Sequence, residues 1–134
     1  MPKKADITIQ GCIFFRGAWS CIGWAVRANG KKEAEIYWNS LEKREQVGFL
    51  RAFEEMISAG KIYNKERFRK IAGEIFEFKY TTGARILCFA YDRVWWLTHG
   101  YTKQSQKTPP NEIRRANQMM KEHIERFWGS KKGA

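Results

Sequence analysis

Hydrophobic and polar positions change period along the chain, and each change marks an element. The first eighteen residues hold one β-like run, ITIQGCIFF, which glycines interrupt, and they are set apart as an N-terminal extension. From Trp19 the stretch WSCIGWAVRANGKK predicts an apolar strand that ends at an Asn29-Gly30 turn. Residues 33–60 then follow a helical period. EAEIYWNSL predicts a short helix with Ile36, Tyr37 and Leu41 inward. EKREQVGFLRAFEEMISAG predicts a second, with Val47, Leu50, Phe53 and Ile57 recurring every three or four residues and Gly60 as its stop.

Beyond the second helix the period falls to two. IFEFKY (75–80), ARILCFAY (84–91) and VWWLTHGY (94–101), separated by Thr-Thr-Gly and Asp-Arg turns, predict an antiparallel meander. A polar connector follows. Pro109 suits the first turn of a last helix with Thr108 as its N-cap, and Ile113, Ala116, Met120, Ile124 and Phe127 line one face of that helix. The predicted order is β-α-α-β-β-β-α, a small α+β domain over residues 19–128 with a frayed tail at 129–134.

Composition supports a folded chain: 134 residues, 43% hydrophobic and 15% aromatic, bury a core without staples. The three cysteines, Cys12, Cys21 and Cys88, show no CxxC spacing, so neither a disulfide framework nor a zinc site is indicated. The N-terminus lacks the continuous apolar core of a signal peptide, and no run reaches membrane-spanning length. The expectation is a soluble cytoplasmic protein with reduced thiols and no membrane partner.

Charge narrows the function. The chain carries 25 Lys and Arg against 14 Asp and Glu, a net charge of +11. Residues 1–60 hold nine basic and seven acidic side chains, whereas residues 61–134 hold sixteen and seven. Such a field attracts polyanions, nucleic acid first. In the meander, Glu77 and Lys79 share a face opposite Phe76, Phe78 and Tyr80, which places Lys79 on an exposed side of the sheet. Arg85 lies across a tight turn from Lys79, as its cross-strand neighbour or as an ion-pair partner of Glu77. Lys103 follows the third strand, so three cations converge near one end of the sheet. His99 titrates near neutrality in its unperturbed state and is a candidate acid or base, or a hydrogen-bonded structural residue. Of the adjacent Trp95 and Trp96, one faces the core and the other is available to stack on a base. No carboxylate pair, Ser/His/Asp order, metal cluster or Gly-rich phosphate loop is present in the sequence.

These residues also carry a resemblance. The stretch FRKIAGEIFEFKYTTGARILCFAYDRVWWLTHGYTKQSQKTPPNEIRRA resembles the phage-derived, HigB-type branch of the RelE/HigB-like toxin superfamily. Ile75 to Lys79 fill one block of the pattern, Ala84-Arg85-Ile86 a second, and Leu97 to Pro109 a third, completed by Glu112, Ile113 and Ala116. The third block is the specific one, and the likeness runs from about Trp19 to Phe127. Lys79 stands where the pattern has arginine, Ala84 and Cys88 stand for tyrosines, and Gln104 replaces the second of two lysines.

The resemblance implies a RelE-like fold with a twisted antiparallel sheet, two N-terminal helices and a C-terminal helix. It implies a toxin of a type II toxin–antitoxin system, an endoribonuclease that cuts mRNA on the ribosome and is held by a small helix-turn-helix antitoxin. It implies no metal and no cofactor. Arg85, Lys103, Lys79 and His99 are then the candidate catalytic residues, and Lys107, Arg114, Arg115 and Gln104 the candidate RNA contacts. The alternative is a non-catalytic basic module that binds nucleic acid or a protein partner.

Overall fold

The computed structural model describes residues 8–60, 66–103 and 107–129. After a single 3-10 turn (Gln10–Cys12) come β1 (Ile13–Arg16), β2 (Cys21–Trp24), α1 (Glu33–Ser40), α2 (Lys43–Ala59), β3 (Phe68–Ala72), β4 (Ile75–Lys79), β5 (Ala84–Tyr91), β6 (Val94–Thr102) and α3 (Pro110–Trp128). The strands form one six-stranded sheet in the order β1-β2-β6-β5-β4-β3. Every pairing is antiparallel except β2 with β6, because α1, α2 and three strands intervene before the chain returns beside β2.

The predicted α+β architecture stands, with two strands added at the edges. β1 comes from the segment ahead of Trp19 and pairs with β2. β3, FRKIA, joins β4 through a tight turn in which Gly73 takes a φ of +54°. The meander turn at Asp92 and Arg93 also forms as expected, both residues taking positive φ as the two-residue hairpin demands.

Helices cover both faces of the sheet. On one face Ala34 and Trp38 of α1 and Phe49, Ala52, Phe53, Met56 and Ile57 of α2 pack on Ile22, Trp24, Phe78, Ile86 and Leu97. On the other, α3 sets Ala116, Met120, Ile124 and Phe127 against Ile75, Leu87, Phe89 and Trp96. Trp96 is fully buried, while half-buried Trp95 meets Phe68 and Phe76 edge to face at 5.4 and 5.1 Å and is committed to packing. Two helical positions depart from the predicted stripes: Ile36 is 57% exposed and Val47 37% exposed. α1 seats itself through Ala34 and Trp38, one turn apart, and that contact turns Ile36 outward.

Close approach fixes α1 on β6. A Cβ at Gly100 would lie 2.0 Å from the ring of Tyr37, whose hydroxyl donates to the Tyr101 carbonyl at 3.1 Å. α3 is tied to the loop after β2. Arg27 donates from Nε and Nη2 to the two carboxylate oxygens of Glu122 at 3.0 and 2.9 Å, and this fork pulls the Glu122 pKa down to about 2. One residue on, the backbone N–H of Val26 donates to Nδ1 of fully buried His123 at 2.9 Å, and burial lowers that imidazole's pKa to about 3.

Two predictions follow from this packing. Gly100→Ala drives a methyl into the Tyr37 ring and lowers stability by about 1–3 kcal/mol in urea denaturation. His123 is neutral in the fold but takes up a proton near pH 6.5 once unfolded. Stability therefore falls as pH drops from 6.5 toward 3, at about 1.4 kcal/mol per unit from this residue. In His123→Gln, denaturation midpoints compared at pH 7 and 5 show a correspondingly shallower loss.

Candidate functional site

The strand IFEFK places one carboxylate among apolar residues, and because helices cover both sheet faces that carboxylate has no route to water. Glu77 is 0% exposed. It accepts from Tyr101 Oη at 3.1 Å, Thr108 Oγ1 at 3.2 Å and Arg69 Nε at 3.3 Å. One side chain thus joins β4 to β6, to β3 and to the connector before α3. This corrects three expectations. The face shared by Glu77 and Lys79 is not an exposed one along its length. The ion-pair partner of Glu77 is Arg69, not Arg85. Thr108 is not the N-cap of α3: Pro110 forces Pro109 out of the helical region, to φ −58° and ψ 136°, so Pro109 is the cap and the Thr108 hydroxyl turns to Glu77.

Register assembles the cations. Lys79 pairs directly with Arg85, and Arg85 with Tyr101, so all three share the Glu77 face at the end of the sheet. Arg85 Nη1 donates to the Tyr80 and Ala84 carbonyls at 2.7 and 2.9 Å, which pins the guanidinium on rigid strands. Lys103 follows β6 and its N–H donates to the Gly83 carbonyl at 2.7 Å, docking it against the β4–β5 turn. Its ammonium is held below the usual lysine pKa, first by desolvation and then by Arg69, Arg85 and Lys79, with Glu77 opposing. Lys79, Arg85 and Lys103 therefore converge as the sequence suggested. Tyr101, beside the same carboxylate, has its hydroxyl pKa raised to about 12, chiefly by burial.

Lys79 and Arg85 open onto a groove of about 730 Å³ that Gly48 and Arg51 of α2, Arg67, Tyr80 and Thr81 also line. Gly48 lets α2 press on Tyr80, since a Cβ there would lie 2.1 Å from the ring. The Thr82 hydroxyl donates to Glu45 Oε2 at 2.7 Å and ties the turn to the start of α2.

The remaining candidates lie elsewhere. At His99 an extra residue bulges β6: Leu87 pairs with His99 and Cys88 with Leu97, leaving Thr98 between. His99 is 1% exposed, with Nε2 2.8 Å from Glu112 Oε1 and Nδ1 3.2 Å from the Thr98 hydroxyl. Burial lowers its pKa, so it is neutral, and both ring nitrogens are engaged: Nε2 holds Glu112 of α3 to the sheet, and Nδ1 is satisfied within β6 itself. Arg115 is bound by Glu33 and lies 3.9 Å from Glu112. Lys107 and Arg114 are exposed, and Gln104 falls outside the described residues. The sequence reading missed Arg51, Arg67, Arg69 and Tyr101; a lone acid inside an apolar strand, Glu77, was the available sign that donors gather there.

Among the described residues, no group of three or more His, Cys, Asp or Glu is placed to hold a metal ion, and no helix is long and apolar enough to cross a membrane. The three cysteines are free thiols.

A small α+β domain with a cationic sheet end is the frame in which the comparisons with known proteins fall. The family model described as Phage derived protein Gp49-like (DUF891) matches residues 36–121, nearly two thirds of the chain. The chain belongs to this phage-derived family of Gp49/RelE-like, toxin-type proteins. The match spans the groove, Glu77, Lys79, Arg85, Lys103 and Lys107. A comparison with curated proteins finds no match.

Glu77→Ala strands three donors around an empty site and lowers stability by about 2 kcal/mol or more, part of the cost being relieved by water reaching Arg69. Thr108→Val removes one of the three bonds and costs about 1 kcal/mol. Thermal unfolding of the two variants beside wild type checks that order.

Proposed function

We propose that this protein is the toxin of a type II toxin–antitoxin pair, an endoribonuclease of the RelE/HigB type that cuts mRNA on the ribosome in the cytoplasm and is neutralised by a helix-turn-helix antitoxin. The observation that carries the reading is the convergence of Lys79, Arg85 and Lys103 on one end of the sheet. Membership of a toxin-type, phage-derived family supports it.

The chemistry suits these side chains. An RNA 2′-oxygen attacks the adjacent phosphorus, and the 5′-oxygen departs, leaving a 2′,3′-cyclic phosphate and a 5′-hydroxyl. Negative charge grows on the non-bridging oxygens between those events. A guanidinium held by backbone carbonyls meets that charge without having to reorganise, which is how preorganised donors accelerate a reaction. Lys79 adds a point charge from the neighbouring strand. Lys103, with its lowered pKa, gives up a proton to the departing 5′-oxygen more readily than an ordinary lysine, while the 2′-hydroxyl proton passes to solvent. His99 supports the site from behind by anchoring α3. Lys107 and Arg114, exposed on the connector and the first turns of α3, extend the basic surface along the RNA.

Single-turnover cleavage of ribosome-bound mRNA tests this. Arg85→Ala lowers the rate by about 10²–10³ and abolishes growth arrest on induction, with folding and antitoxin binding unchanged. Lys103→Ala slows the chemical step and shifts its pH profile. His99→Ala loses stability more than rate. Equal rates for Arg85→Ala and wild type overturn the assignment. Wild-type protein that binds RNA without cutting it points instead to the non-catalytic basic module.

A further inference from the structure

The two flanks of the cationic cluster differ in charge balance. On the α3 flank, Arg115 is bound by Glu33 and Arg27 is shared between Glu33 and Glu122, so these two guanidiniums each meet a carboxylate. On the α2 flank, the groove gathers Arg51, Arg67, Lys79 and Arg85 with Glu66 the one acid among its described lining residues. Glu55 offsets Arg67 from outside the lining at 2.7 Å, through a pair in which each side chain stays more than a third exposed. Arg51 is exposed on the α2 surface.

Holding like charges together in one concavity is unfavourable until an anion enters it. The groove is also already formed. Its walls are joined by the Thr82 to Glu45 hydrogen bond and by the contact of Gly48 with the Tyr80 ring, and its volume of about 730 Å³ is of the size that takes a ligand.

We infer that the groove between α2 and the β4–β5 turn is an RNA backbone site, in which Arg51 and Arg67 bind phosphates flanking the one held by Arg85. This deepens the endoribonuclease reading and rests on it. The RNA strand then runs from Lys103 past Arg85 toward α2, along the wall that Arg51 and Arg67 line. Single-stranded RNA is favoured over an acidic protein segment because the groove is continuous with Arg85. Guanidiniums on both walls also suit phosphates, which each can hold through two parallel hydrogen bonds.

The test is binding of a fluorescent, uncleavable 2′-O-methyl RNA nonamer by full-length protein, measured by anisotropy across a salt series. Wild type shows a log–log slope of about −0.7 per neutralised phosphate. Arg51→Ala and Arg67→Ala each flatten that slope by about 0.7, Arg51→Lys restores it, and Lys121→Ala on exposed α3 leaves it unchanged. Unchanged thermal midpoints confirm folding, and Arg51, being exposed, supplies the safer variant. If Arg85→Ala flattens the slope while Arg51→Ala and Arg67→Ala do not, the groove assignment falls and the endoribonuclease reading survives. If none of the three changes binding, the groove assignment falls, and the Arg85→Ala cleavage rate alone decides the endoribonuclease reading. Inorganic phosphate and a polyglutamate peptide serve as competitors. Arg51-dependent displacement by the peptide at lower concentration than by RNA overturns the RNA assignment, and the groove is then a protein-docking site.

Discussion

A carboxylate sealed from water must find its compensation in the protein, and Glu77 finds it in three donors from three separate parts of the chain. Tyr101 brings β6, Arg69 brings edge strand β3, and Thr108 brings the connector that starts α3. The same negative charge lies near Lys103 and works against the mutual repulsion of Lys103, Arg69, Arg85 and Lys79. One buried acid thus allows a cationic site to exist at the end of a sheet and fixes the direction in which the chain leaves it. A neutral residue of the same size would fill the space and leave the cations without their common counter-charge.

The layered architecture explains why the site sits where it does. With helices on both faces, the basic strand residues reach solvent at the sheet's edges and ends. Lys79, Arg85 and Lys103 occupy the end where β4, β5 and β6 stop together, and strands hold their Cα positions more firmly than loops would. The bulge at Thr98 turns His99 toward Glu112 and so locks α3 over the neighbouring part of the same face. Rigidity on the α3 flank and an open basic groove on the α2 flank are two results of one packing.

Much of this was legible in the sequence. α2, α3 and the β4–β6 meander announce themselves through sustained periods of 3.6 or 2, and the register of Lys79 with Arg85 follows from the short turn between them. β1 showed only as the end of the glycine-interrupted run ITIQGCIFF, set apart from the predicted domain, and β3 did not show because its five residues, FRKIA, mix apolar and charged positions. Alternation gave the face of Glu77 correctly but not what covers it, since burial on both faces is a property of where α3 lands. The same limit applies to Arg115, whose carboxylate partner Glu33 lies 82 positions away along the chain. Arg51 and Arg67 were invisible as site residues because each belongs to an unremarkable local pattern, and only the fold brings them to Arg85.

The central claim is that the end of the sheet organised by Glu77 is where RNA phosphate binds. Side-chain NMR reads it most directly, by following the Arg85 guanidinium and the Lys103 ammonium as a 2′-O-methyl RNA oligonucleotide is added at low and high salt. Saturable shifts of both signals together at low salt, suppressed at high salt, are the predicted result. Signals from Arg85 and Lys103 that stay in place while those of another surface move would contradict it.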